Sequence, residues 1–402
     1  AYDLFGTGKT ALKGSIGKYV AGQALRGNDA TVIFGDGLNP AQRVVTSATR
    51  SWNDANVNFR PECDLLSFGA NGECGPLSNT DFGSLRPGST YDPEILRGWG
   101  KRMYSWQFSA GVQHEVIDRM SVEFSYFRRV YGNFNVVDDR ARSASDFDVF
   151  SITAPSDPRL PDGGAYTIGG LYNIKPPLFS TPADNYITFA ENYGKQIEHW
   201  DGFDLILTAR PQGGVTLQGG LSSGRTTIDN CEVAAKLPEI LTGFPVLNDP
   251  NTTAQFPAQY CYQQSAFLTQ VKFLGSYLIP KIDVLISGAL QSVPGPQVIG
   301  NFVATNSIVQ PSLGRPLSGG APNVTVNVVS PGAMYGDRRN QFDLRHGKVL
   351  RFGGTQTKMN VDLNNVFNAY PVLTENVSFA VFRQPASILP ARIVRIGVQI
   401  DF

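Results

Sequence analysis

Few residues in this chain have the types and spacing that chemistry demands. The string Gly6-Thr7-Gly8-Lys9-Thr10 ends as a phosphate loop does, but such a loop needs a glycine five positions before Gly8, and that position is Asp3. Asp138, Asp139 and Glu191 lack the spacing of a glycosidase carboxylate pair, and no serine is expected at a nucleophile elbow. His114, His199 and His346 stand far apart, and the cysteines lack a CxxC pair, which argues against zinc. Those cysteines come instead as two local pairs, Cys63 with Cys74 and Cys231 with Cys261, inside polar Gly/Asn/Pro-rich stretches. That pattern predicts two loop disulfides in an oxidising compartment, with reduced thiols as the alternative. No enzyme activity, metal or cofactor is expected.

The elements that carry these residues are strands. The chain has 402 residues, 42% of them hydrophobic, and holds no apolar run of the ~20 residues that a membrane helix needs. That excludes helical spans only, because barrel strands alternate. The 34 basic and 34 acidic residues cancel, which leaves no electrostatic footprint for nucleic acid. Abundant glycine (42), proline (26), phenylalanine (25) and tyrosine (15) favour strands and turns.

The clearest strand is Ala391–Phe402. Val394, Ile396, Val398, Ile400 and Phe402 share one face, and Arg395, Gly397, Gln399 and Asp401 share the other. The same alternation marks Thr10–Val20, Arg102–Val116, Arg119–Tyr131, Trp200–Arg210, Val215–Arg225, Ala266–Leu278, Ile282–Ser292, Gln341–Phe352 and Thr355–Phe367, ten strands in all. Their connections alternate between hairpin turns (Ile117-Asp118, Pro211–Gly214, Ile279–Lys281, Gly353-Gly354) and long polar segments read as loops. Outer-membrane barrels have short periplasmic turns and long outer loops, so this parity predicts an all-β, antiparallel transmembrane β-barrel. Glu123, Asp204, Arg210, Asp283, Asp343, Arg345, Lys358, Asp362 and Arg395 fall on the polar phase and are expected to face a water-filled lumen. Tyr104, Trp106, Phe124 and Tyr126 fall on the apolar phase, as lipid-boundary girdle residues or, alternatively, a sugar-binding strip.

In its segments YDLFGTGKTALKGSIGKYV, WQFSAGVQHEV with SVEFSYFRR, DNYITFAENYGKQIEHWDGFDLILTARPQGG, LQGGLSSGRTTIDNCEV and LNNVFNAYPVLTENVSF…ILPARIVRIGVQIDF, the chain resembles the C-terminal part of a TonB-dependent receptor barrel. The group it is similar to is Oar-like, preceded by a carboxypeptidase-regulatory-like domain. The resemblance implies a barrel of about 22 strands around an N-terminal plug. By it, residues 1–402 are a barrel segment without the plug and first strands, matching a start at Ala1-Tyr2-Asp3-Leu4 within a strand. It also implies a bacterial outer-membrane location, with membrane lipid, the missing strands and plug, the TonB complex and a solute of unidentified chemistry as partners. Phe402 is expected, as in similar barrels, to be the recognition end for the assembly machinery. The function implied is TonB-energised uptake. The alternative is an adhesin or structural surface barrel whose loops bind other cells or matrix.

Overall fold

The computed structural model describes residues 1–22, 44–84, 89–242, 244–246, 249–352 and 355–401. Ten long strands make its main sheet. They are β1 (Thr10–Val20), β2 (Tyr104–Ile117), β3 (Met120–Gly132), β4 (Ile197–Ala209) and β5 (Val215–Asp229), followed by β6 (Leu268–Ile279), β7 (Val284–Val293), β8 (Arg339–Phe352), β9 (Thr355–Asn364) and β10 (Ile393–Asp401). Each is antiparallel to the next, so the spatial order is the chain order. Short strands Tyr2–Asp3 and Tyr262–Gln264 pair with β1 and β5. The order is linear, and among the described residues no pairing joins Tyr2–Asp3 to β10 at the far end.

Tight turns close one edge of this wall. Arg119 (φ 65°) lies between β2 and β3, Gly213 and Gly214 (φ 92° and 86°) between β4 and β5, and Lys281 and Asp283 (φ 71° and 51°) between β6 and β7. Left-handed backbone is what a short hairpin needs if its strands are to keep their right-handed twist. The Gly353-Gly354 turn and Phe402 lie outside the described residues.

Strand register sorts the side chains. Leu12, Val112, Phe124, Leu205, Leu221 and Val271 are successive cross-strand partners in one row. On the opposite face Lys13, Gly111, Ser125, Asp204, Ser222 and Gln270 form a row in the same way. The apolar face is bare: Phe124 is 49% exposed, Val361 43% and Ile396 73%. Polar groups on that face gather toward its rims. Arg128 pairs with Asp201 at 2.9 Å, and Tyr126 Oη donates to the same carboxylate at 2.7 Å. Lys18 Nζ sits 4.2 Å from the Tyr104 ring centroid.

The dry core lies in the long connections, where irregular loops were expected. Hairpin Phe147–Thr153/Thr167–Ile174 contributes Phe150, Ile152, Ile168 and Leu171. Helix Asn306–Leu313 and hairpin Asn301–Thr305/Asn323–Asn327 contribute Val309, Ala304 and Val326, and the last connection adds Phe382. Smaller clusters join Val136 and Ala190 to Val233 and Leu237, and Ile95 to Ile187 and Phe189. The connections are therefore one folded cap, stitched by Arg315 Nη2 to Asp148 at 2.6 Å and by Tyr166 Oη donating to the Val328 carbonyl at 2.6 Å. Their short alternating runs, such as FDVFSIT and NVTVN, are too brief to cross a bilayer but long enough for small hairpins. Burial pushes the Tyr166 phenol up to about 12, which keeps it a donor.

Both disulfides lie in the long connections, Cys63–Cys74 with Cα atoms 5.8 Å apart and Cys231–Cys261 with Cα atoms 4.9 Å apart. The second closes a separation of 30 residues, so replacing both cysteines by alanine should lower cap stability by roughly 3 kcal/mol, read as protease resistance against urea. Leu171→Ala, at a side chain with no exposure, should cost ~2–5 kcal/mol in the same assay. Equal protease resistance in the variants and the parent would contradict the shared core.

Candidate functional site

The polar face of the wall is where charged groups meet. Most are paired. Lys13 Nζ bonds Glu123 at 2.7 Å across β1, β2 and β3, and Lys358 Nζ bonds Asp401 at 2.9 Å. Arg345 holds Asp362 through two bonds of 2.5 and 2.9 Å, and Arg395 approaches the same carboxylate at 3.9 Å. Their positions follow from register, since Arg345 opposes Asp362 and Asp362 opposes Arg395. Asp343 accepts from Gln341 Nε2 at 3.0 Å and from the Asn365 amide at 2.7 Å, which ties β8 to the end of β9.

Two of the expected face residues sit beyond the strand ends. Arg210 follows Ala209, the last residue of β4, and Pro211 after it has no N–H to continue the ladder. Asp283 precedes β7 with φ 51°, in the turn, where it pairs with Arg351. The Arg210 amide still donates to the Arg119 carbonyl at 2.9 Å, so there the alternation runs one residue past the strand end, whereas at Asp283 the backbone has already turned left-handed.

One part of the polar face forms a groove of about 490 Å³, bordered by Phe127, Arg129, Tyr131, Glu198, Trp200 and Asp204 among others. Register builds it: Arg129 and Thr226 flank Trp200 as its cross-strand partners, and Gly202 opposes Gly224 beside it. A Cβ on Gly202 would stand 2.2 Å from Trp200 Cη2, and one on Gly224 would stand 2.2 Å from Cζ2. The two glycines therefore let the indole lie down on the sheet. The guanidinium of Arg129 sits 4.8 Å from the Tyr131 ring centroid, and its Nε is buried without a hydrogen-bond partner. Glu198 and Asp204 have no ion-pair or hydrogen-bond partner for their carboxylates among the described residues. Of these groups sequence reading singled out Asp204 alone. Stepping back by two from Asp204 through Gly202 and Trp200 to Glu198 would have found the rest of β4.

Three other candidates carry less. The string Gly220-Leu221-Ser222-Ser223-Gly224 spells GxSxG, but it runs through the middle of β5 with no strand-to-helix turn. His114 Nδ1 meets Thr10 Oγ1 at 2.9 Å, His199 Nε2 lies 3.2 Å from Asp201, and His346 stands between Ile286 and Val361 on the apolar face. A polar cavity of about 400 Å³ in the cap is bordered by Asn135, Asp139, Asn230 and Glu239, and the Asn135 carboxamide and Asn230 Oδ1 are buried without partners. There the Asp139 amide donates to Glu239 at 3.3 Å, while burial, followed by the charges of Asp138 and Asp139, pushes the Glu239 carboxyl above its ordinary value.

No family model and no curated protein matches the chain. Three similar solved structures are described as transporters. The FrpB iron transporter from Neisseria meningitidis is matched in its F5-1 variant apoprotein at 13% identity, over 74% of this chain and 31% of that one, with a TM-score of 0.34. Its F3-3 variant is matched over the same shares at 13% identity, with a TM-score of 0.35. The outer membrane transporter YddB from Escherichia coli is matched at 9% identity, over 99% of this chain and 39% of that one, with a TM-score of 0.46. The chain spans between 31% and 39% of the length of these structures.

Because the Glu239 pKa is raised, the folded cap holds that proton more tightly than the unfolded chain does. The resulting loss of stability is absent below the ordinary value of 4.5 and grows as pH rises through the folded value. Glu239→Gln should therefore make the cap more stable at neutral pH and flatten its melting temperature between about pH 4 and pH 7. A variant whose melting profile keeps the parent's slope over that range would contradict this.

Proposed function

We propose that this chain forms part of the wall and outer cap of a bacterial outer-membrane barrel that takes up a solute, energised by TonB, and that it is not an enzyme. The observation that carries the reading is the bare apolar face running across all ten strands, opposite a polar face with ion pairs. Strands of nine to fifteen residues are long enough to cross a bilayer, which takes ~9–11 when tilted. In water such a face would be an aggregation hazard far larger than the patches soluble proteins tolerate. In lipid it is a requirement. The alternation of short turns and long connections supports the same orientation, with the cap outside and the hairpins in the periplasm.

The linear strand order fits a wall completed by other strands, because lipid leaves unpaired backbone groups unsatisfied at several kcal/mol each. In this reading the remaining strands, a plug, the TonB complex and membrane lipid are the partners, and nucleic acid is not. The polar face lines the path, and its near balance of charge leaves the solute's selection to local contacts. A complete gene that encodes a plug and a TonB box supports uptake. One without either supports the adhesin reading, for which the folded cap would be the binding surface.

Leu205 is surrounded on the apolar face by Phe124, Leu221 and, along its strand, Phe203 and Leu207. Leu205→Arg should cost ~2–4 kcal/mol in bilayer refolding, while Gln218→Arg on the polar face should cost close to nothing. Equal losses at the two sites, or recovery of the protein in the soluble fraction of lysed cells, would refute the membrane reading.

A further inference from the structure

The polar face treats its charges in two ways. Glu123, Asp362 and Asp401 are each held by a lysine or arginine. Around Trp200 the carboxylates of Glu198 and Asp204 have no hydrogen bond or close ion pair among the described residues, and Arg129 Nε is buried and unpaired. A buried unpaired donor is costly, and here it stands beside two carboxylates that border the same groove. The indole at their centre is equally specific in its setting. Gly202 and Gly224 remove the two side chains that would otherwise prop it up, so one ring face lies against the sheet and the other borders the groove.

We propose that this groove binds a neutral carbohydrate, with one pyranose ring stacked on the Trp200 indole and its hydroxyls held by Glu198, Asp204 and Arg129. The proposal rests on the uptake reading and names the class of solute. A pyranose has an apolar C–H face that suits the electron-rich face of an indole. Its rim carries hydroxyls that both donate and accept, so a single ring can donate to two carboxylates and accept from a guanidinium. Few other chemistries satisfy all three. An organic cation would meet Arg129 directly beside the indole, and a polyanion would meet Glu198 and Asp204. The cavity of about 490 Å³ lies within the ~300–1,000 Å³ range of small-molecule sites.

The test uses the full-length protein in an amine-oxide detergent, free of sugar headgroups, titrated calorimetrically with maltotetraose, cellotetraose, mannotetraose and chitotetraose. Choline and tetragalacturonate serve as the cationic and anionic controls. At least one neutral saccharide should bind saturably. Trp200→Ala should weaken that binding by about tenfold or more, as truncating an aromatic anchor does, and Trp200→Phe should lose much less. Asp204→Asn and Glu198→Gln should each weaken it as well, which keeps the test decisive if Trp200→Ala does not fold. Binding of none of the four, binding indifferent to these substitutions, or preference for choline or the polyanion would each overturn the proposal. Membrane fractionation separates it from the reading beneath it. A saccharide-binding protein absent from the outer membrane would end the uptake reading and leave the site. An outer-membrane protein that binds no neutral saccharide would do the reverse.

Discussion

Everything in this structure depends on register. Antiparallel partners project their side chains to the same side of a sheet, so each pairing carries one strand's alternation to the next. From Leu12 through Val112, Phe124, Leu205 and Leu221 to Val271, nothing polar interrupts the row. A slip of one residue at any of these pairings would turn every later strand over and place residues such as Arg345 and Asp362 among the apolar side chains. The hydrophobic pattern and the hydrogen-bond ladder are in this sense a single constraint. The tight turns help to fix it, because left-handed residues such as Arg119 and Lys281 set the length of each hairpin.

The placement of the core inverts what is usual in soluble sheet proteins. Those proteins bury one face of the sheet and leave the connections wet. Here the sheet keeps its apolar face bare, while the connections supply Ile168, Leu171, Val309 and Val326, all without exposure. The two parts therefore draw stability from different sources. The cap folds as a small globular domain does, by removing apolar side chains from water. The wall draws on its backbone ladder and, in the proposed setting, on lipid. They meet where β3 and β4 rise into the cap, close to Tyr131 and Glu198, and the Trp200 groove lies at that junction.

The ion pairs of the polar face are partly exposed and contribute little to stability individually, typically ~0–1 kcal/mol each. Their value is geometric. Arg345, Asp362 and Arg395 link three neighbouring strands, and Lys13 with Glu123 ties β1 to the third strand. In the proposed setting, the carboxylates around Trp200, which the ion pairs do not engage, offer hydrogen-bonding capacity to a solute.

The ten wall strands, their division into an apolar and a polar face, and the alternation of short and long connections are legible along the chain. These are local properties: a period of two, turn residues and segment length can each be read along the chain. The boundaries differ where the period runs on past a strand end, as at Arg210 and Asp283, and where the strand begins before the period read from Trp200, as at Glu198. The cap and the groove arise only from contacts between segments distant in sequence. Arg159 reaches the Phe382 carbonyl across 223 residues, and no periodicity announces such a contact. Trp200 can lie flat because Gly202 on its own strand and Gly224 diagonally across on the next both lack a side chain. Asp362 gains its two arginines from different neighbours. Contacts of this kind depend on which segments the sheet brings side by side, and a local pattern carries no information about its neighbour.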